Sequence, residues 1–184
     1  MRVLLVVDMQ NDFIDGVLGT KEAVAIVPRL AEKIRHFDGI CIATYDTHHE
    51  NYLETQEGRN LPVPHCIEGS EGWQLNRQVA DALQARAQCS DEEAKTFKKP
   101  GFGSAELAEY LRALDRDTPI EEIVLVGVCT DICVISNAML LKAFLPEVKL
   151  TVDAACCAGI TKESHENALS AMQMCQISIE NRDA

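Results

Sequence analysis

The chain has 184 residues, 17 Lys and Arg against 29 Asp and Glu, a net charge of −12 and 47% hydrophobic residues. That length and composition suit one packed domain, so residues 1–184 are read as a single domain and wholesale disorder is excluded. The acidic balance excludes nucleic acid and anionic membrane surfaces as partners, because both need clustered Lys and Arg.

In chain order, Arg2–Asp8 reads as a buried strand. Val24, Val27, Leu30, Ala31 and Ile34 recur at helical spacing and predict a helix over Lys21–His36. Gly39–Tyr45 is a second strand. Asp46–Gly72 is a long polar stretch carrying Pro62 and Pro64, with no sustained period; a loop of that length in a small domain is usually functional. Leu75, Val79, Ala82 and Leu83 begin a helix, Lys95–Lys98 is a weak strand, and Leu107, Leu111 and Leu114 mark a further helix. Glu122–Val128 is the clearest strand, followed by a helix over Asp131–Phe144. Val148–Val152 is a fifth strand, Lys162–Cys175 a helix and Gln176–Glu180 a short last strand. This alternation predicts an α/β fold: an open, mostly parallel six-stranded sheet with helices on both faces.

Eight cysteines are scattered through the chain. The apolar run before Asp8 is too short for a secretory signal, and no stretch approaches the ~20 apolar residues of a membrane span. A cytoplasmic location is expected, where thiols stay reduced, so a disulfide scaffold is not. Cys41, Cys66, Cys89, Cys156, Cys157 and Cys175 are read as packing.

In open parallel sheets, ligands bind at the carboxyl ends of the strands. Asp8, then Asp46 and His48, then Lys98 and Lys99, then Cys129 and Cys133 stand at four such ends. Cys133 lies in the first turn of its predicted helix, where free N–H groups and the helix dipole favour a thiolate and could hold an oxyanion. Asp8 is the candidate general base, and Lys98 or Lys99 the neighbouring cation. Read without chemistry, Cys133 is a small core residue, and the two readings are evenly matched on position alone. Asp46, His48 and His65, with Glu54 and Glu57 in the same loop, offer oxygen and nitrogen donors suited to Zn²⁺, Fe²⁺ or Mn²⁺; a solvated loop is the plainer alternative. His49 would point away from His48 on an extended chain, and His36 and His165 are placed on helices away from this edge. GFGS at Gly101–Ser104 lacks the spacing of a phosphate loop, and no G-x-S-x-G elbow exists.

DMQNDF at Asp8–Phe13, KPGFGS at Lys99–Ser104 and GVCTDICV at Gly127–Val134 together resemble the isochorismatase-like cysteine hydrolase superfamily, which includes the nicotinamidases. The resemblance spans nearly the whole chain. It implies a catalytic triad of Asp8, Lys99 and Cys133; Lys99 is preferred because the family lysine precedes an aromatic by three residues, here Phe102. It implies a cis peptide between Val128 and Cys129, with the N–H groups of Cys129 and Cys133 forming an oxyanion hole. It implies one divalent metal ion on Asp46, His48, Glu57 and His65, with Glu54 as the fallback for Glu57, and no organic cofactor. Leu61 and Pro62 stand where the family carries an aromatic, which leaves Phe13 and Leu61 as pocket walls.

The function so implied is cleavage of the C–N bond of a small carboxamide, nicotinamide or similar, through a Cys133 thioester. Vinyl-ether hydrolysis, hydrolysis of another small amide or carbamoyl compound, and a non-catalytic binding domain are the alternatives. A homo-oligomer is expected.

Overall fold

The computed structural model describes residues 1–90 and 94–183, apart from the side chains of residues 89 and 90. The expectation for Cys89 therefore falls outside the described residues. Strand β1 (Arg2–Val7) is apolar on both faces, and Val3 to Val7 are all fully buried. Such a strand needs cover on both sides, as parallel sheets have.

The cover divides by residue parity. Val3, Leu5 and Val7 pack with Leu107 and Leu111 of α5 (Ala105–Asp117), Ala138 and Leu141 of α6 (Ile135–Phe144) and Leu169 and Met172 of α7 (Lys162–Met174). Leu4 and Val6 face the other way, onto Val27, Leu30 and Ile34 of α2 (Lys21–His36) and Val79, Ala82 and Leu83 of α4 (Arg77–Ser90). The remaining strands are β2 (Ile40–Asp46), β3 (Lys95–Lys99), β4 (Glu122–Val128), β5 (Lys149–Ala158) and β6 (Ser178–Glu180). All neighbours pair in parallel, in the order β3-β2-β1-β4-β5-β6. The expected mostly parallel six-stranded sheet is present, and among the described strands it is wholly parallel.

Several boundaries differ from the sequence reading. β5 runs to Ala158, so Cys156 and Cys157 lie within the strand rather than after it. The register between β4 and β5 shifts between Leu125 and Gly127, and this irregularity lets β5 continue past the predicted end. The long loop after β2 contains a 3₁₀ turn at Tyr52–Glu54 and the short helix α3 (Gln56–Asn60); another short helix, α1 (Asn11–Ile14), follows β1. Helices of three to five residues are too short to show a period. Cys175, read as packing, is exposed at the end of α7. The seven described cysteines are all free thiols, and among the described residues no helix is long and apolar enough to cross a membrane.

The strand order reverses between β1 and β4, and the crevice there is the place such a sheet offers a ligand. Gly127 tightens this point. Its φ is +119°, and a Cβ there would lie 2.1 Å from the Val7 carbonyl oxygen. Only glycine allows this approach, which brings the ends of β1 and β4 together.

At the opposite end of the sheet, Glu122 accepts hydrogen bonds from Arg2 (2.6 Å) and Thr151 (2.8 Å) and pairs with Lys149 (2.7 Å). Burial works against its charge, but Lys149, Thr151 and Arg2 outweigh it and lower the pKa to about 2 from 4.5. A carboxylate depressed on folding stabilises the fold above its unfolded pKa, and this contribution is lost as pH falls through the folded value. Glu122→Gln is therefore expected to cost of order 2 kcal/mol at neutral pH and to flatten the fall in stability between pH 4.5 and about 2. Urea unfolding across that window checks this.

Candidate active site

Asp8 follows β1 in a left-handed conformation, with φ of 47°. That turn aims its carboxylate across the end of β2, where Thr44 Oγ1 donates to Asp8 Oδ1 at 2.7 Å. β3 pairs with β2 in a register that sets Lys99 opposite Asp46. Strand alternation then separates the two lysines. Lys98 points outward to Glu68, whereas Lys99 is 1% exposed and its Nζ lies 2.7 Å from Asp8 Oδ2. Lys99 Nζ also donates to Gly101 O at 2.9 Å and lies 3.2 Å from Asp46 Oδ1 and 3.5 Å from Cys133 Sγ. Lys98 and Lys99 thus belong to β3, and Asp46 to β2, rather than following those strands.

Cys133 sits in a single π-helical turn, Thr130–Val134, that precedes α6. The Cys129 carbonyl accepts from Ile132 N and Val134 N, bypassing the Cys133 N–H between them. The Val128–Cys129 peptide is cis. Asp8, Lys99 and Cys133 thus come together from three separate strand ends.

The charges in this cluster set one another. Burial raises the Asp8 pKa against the pull of Lys99. Lys99 stays protonated, because Asp8, Cys133 and Asp46 together outweigh its burial. Burial, followed by the Asp8 charge, pushes the Cys133 thiol well above its ordinary range, with Lys99 opposing. The expectation of a thiolate favoured by the helix terminus is corrected here. Burial and the neighbouring Asp8 charge both favour the protonated thiol over the thiolate, and a single π turn is a weak counterweight. Cys129 is pushed up to about 12, chiefly by burial.

Next to this cluster, Asp46, His48, Glu57 and His65 present one ligand atom each, all within 4.8 Å of one another. His48 Nε2 lies 3.0 Å from Asp46 Oδ2 and 3.6 Å from Glu57 Oε1; His65 Nε2 lies 3.5 and 3.7 Å from the same two atoms. Ligand atoms about 2.1 Å from a tetrahedral zinc ion are about 3.4 Å apart, so these spacings fit a divalent cation. Two further observations agree. His48 Nε2 is buried without a well-directed hydrogen bond. His65 Nδ1 meets Val63 O at 2.8 Å, and donating there leaves the Nε2 lone pair facing the cluster. Glu57, not Glu54, is brought to these histidines.

Asp46 faces both groups. Oδ1 meets Lys99 and Oδ2 meets the histidines. Burial opposes its charge, but His48, His65 and Lys99 hold its pKa well below the usual carboxylate range.

Between the two groups lies a cavity of about 240 Å³. Phe13 and Leu61 both line it, with Phe102, Ile132, Cys129 and Cys133 among the other walls.

Sequence reasoning missed several buried polar residues. Gln10 clamps Asp46 by donating to its carbonyl (2.9 Å) and accepting from its N–H (2.8 Å). Asn137 and Thr44 also contact the site and are unexposed. A polar residue at an apolar helical position was the available signal for Asn137. His165 needs correction. α7 starts just beyond the carboxyl end of β5, so its first turn lies at the site edge, where His165 Nδ1 meets Thr130 Oγ1 at 2.8 Å. His36 and His49 are exposed beside Glu32 and Glu68 respectively.

The isochorismatase domain model matches residues 2–183. An uncharacterized isochorismatase family protein of Bacillus subtilis is 31% identical over 176 residues, covering 92% of each chain. The crystal structure of a pyrazinamidase/nicotinamidase from Streptococcus mutans superposes with a TM-score of 0.82 at 26% identity, over 97% of this chain and 99% of the other. A Pyrococcus horikoshii pyrazinamidase solved in complex with zinc gives 0.74 at 26% identity, over 97% of each chain. With all but its terminal residues matched, the chain belongs to the isochorismatase family.

Proposed function

We propose that the protein is a cysteine amidohydrolase that cleaves the C–N bond of a small carboxamide, nicotinamide or a close analogue. The observation that carries this reading is the meeting of Asp8, Lys99 and Cys133 around one ammonium, with Cys133 opening into a mostly apolar cavity of single-ring size. A binding module has no use for a buried thiol held between a base and a cation. The relatives named as nicotinamidases or pyrazinamidases support the same chemistry.

In this reading Asp8 takes the Cys133 proton as sulfur attacks the carboxamide carbon. The N–H groups of Cys129 and Cys133 hold the tetrahedral oxyanion. Asp8 returns the proton to nitrogen, the C–N bond breaks and ammonia leaves. Asp8 then takes a proton from water as its oxygen attacks the thioester; the C–S bond breaks as Asp8 passes that proton to sulfur, which releases the carboxylic acid and regenerates the Cys133 thiol and the Asp8 carboxylate. Lys99 keeps its charge throughout and holds the two partners in register. Phe13 and Leu61 flank the acyl group. A divalent ion held by Asp46, His48, Glu57 and His65 would supply an electrophilic contact for a ring nitrogen of the substrate. A cytoplasmic, self-associating protein remains part of this proposal.

An ammonia-release screen over nicotinamide, pyrazinamide and small aliphatic amides, with isochorismate as control, tests it. Turnover of isochorismate and of no amide would overturn the reading.

Metal analysis tests the ion separately. About one Zn²⁺, Fe²⁺ or Mn²⁺ per chain is expected. His65→Ala should weaken retention by more than the ~10–100-fold that loss of an outer partner costs. Equal metal content in the two proteins would remove the assignment.

A further inference from the structure

Asn137 lies on α6, four residues after Cys133, and is 1% exposed. Its Nδ2 donates to Cys133 O at 2.8 Å and to Phe102 O at 3.2 Å. Its Oδ1 accepts from Ser104 N at 3.0 Å. Ser104 in turn caps α5, accepting from Leu107 N at its hydroxyl. The amide thus makes three hydrogen bonds, and all lead to the two segments that carry the nucleophile and the loop after Lys99.

These bonds complete a ring. Lys99 Nζ reaches Gly101 O and Cys133 Sγ. Gly101 precedes Phe102 in the chain, Phe102 O returns to Asn137, and Asn137 returns to Cys133 O. The loop needs such a tie. A Cβ on Gly101 would meet nothing within 4 Å and Phe102 is 48% exposed, so side-chain packing does little to fix the loop at these two residues.

We infer that Asn137 is a positioning residue for the hydrolysis, tying the Gly101–Ser104 loop to the Cys133 turn and so fixing where the Lys99 ammonium stands against the sulfur. The inference rests on the cysteine-hydrolase reading. A plain structural tie would support the fold equally in every state. A positioning tie acts on the reacting sulfur, more on kcat than on substrate binding. Losing it lets the loop and its Gly101 carbonyl drift, and a small misplacement of reacting groups costs on the order of 10²-fold in rate.

The test compares Asn137→Asp and Asn137→Leu with the unaltered chain. Asn137→Asp keeps the acceptor for Ser104 N–H but loses both donors, whereas Asn137→Leu keeps volume and loses every bond. Three quantities are read on protein shown folded by circular dichroism: kcat and KM on the best amide of the screen, the rate of Cys133 alkylation by iodoacetamide followed by mass spectrometry, and Tm. Both variants are expected to lose 10–100-fold in kcat, with KM within about threefold. Cys133 alkylation is expected to change at least threefold in Asn137→Asp. A fall in Tm with kcat and alkylation within twofold in both variants would overturn the inference and leave Asn137 a structural tie. If the unaltered chain turns over no amide, the function reading fails; the alkylation comparison then still decides whether Asn137 governs the sulfur. If Asn137→Leu does not fold, Asn137→Asp decides alone, and should it also fail to fold at 25 °C, Asn137 is a folding residue and the inference falls.

Discussion

Cys133→Ala is expected to lower ammonia release by about 10⁴-fold or more while the protein stays folded, on the scale seen when a nucleophile is removed from an acyl-transfer site. The residual rate would reflect only binding and the oxyanion donors. The fold should tolerate the change because the side chain is small, and its lost packing is expected to cost about 1–2 kcal/mol. Lys99 would keep Asp8, Asp46 and Gly101 O as partners. Turnover within tenfold of the unaltered chain would show that another group attacks. Cys129 is the only other thiol lining the cavity among the described residues and is the first candidate for that group. Alkylation gives a second check. Mass spectrometry should find Cys133 modified ahead of the buried Cys41, Cys66, Cys156 and Cys157, because Cys133 alone among these opens into the cavity.

Lys99→Met should be the more damaging change to the fold. The ammonium is the shared partner of Asp8 and Asp46, both almost fully buried. Methionine fills much of the same space but leaves two carboxylates facing each other without a cation. Removing one side of a buried ion pair typically costs about 3–5 kcal/mol, because a charge is left uncompensated. In a chain of this size that lowers Tm by roughly 10 °C. Activity should be lost as well, since the nearest carboxyl would take up a proton and cease to act as a base. A Tm within about 2 °C of the unaltered chain would mean that the carboxylates are neutral or hydrated in the folded protein. Lys99→Arg is a useful companion. It retains charge but brings a planar fork where the structure holds a compact ammonium, so stability should recover further than rate.

The sheet was legible because its signals are local. The apolar runs of β1 and β4 are long enough to declare a strand covered on both sides, and the helical spacing of α2 matched its observed ends. The catalytic and metal-binding candidates were legible because Asp8, Lys99 and Cys133 sit in motifs, and Asp46, His48 and His65 are donors grouped around one loop. What stayed hidden depends on contacts between distant segments. Gln10 matters only because folding lays it on the Asp46 backbone, and Asn137 only because the loop after β3 reaches α6. The extended β5 follows from a register shift that periodicity does not encode. The Cys133 thiol was misjudged for a related reason: its position in a helical turn is written in the chain, but the surrounding burial and the approach of Asp8 are not.

The two-sided use of Asp46 carries one more consequence, visible when the pocket is treated as an electrical whole. Asp8, Asp46 and Glu57, formally ionised, face the single ammonium of Lys99 among these groups, leaving two negative charges uncompensated. That deficit equals the charge of one divalent cation, so a loaded pocket would be electrically neutral. A neutral amide preserves that balance, whereas the carboxylate it becomes would add a negative charge that no group here offsets. The same charge balance that admits the substrate would therefore favour expulsion of the acid product.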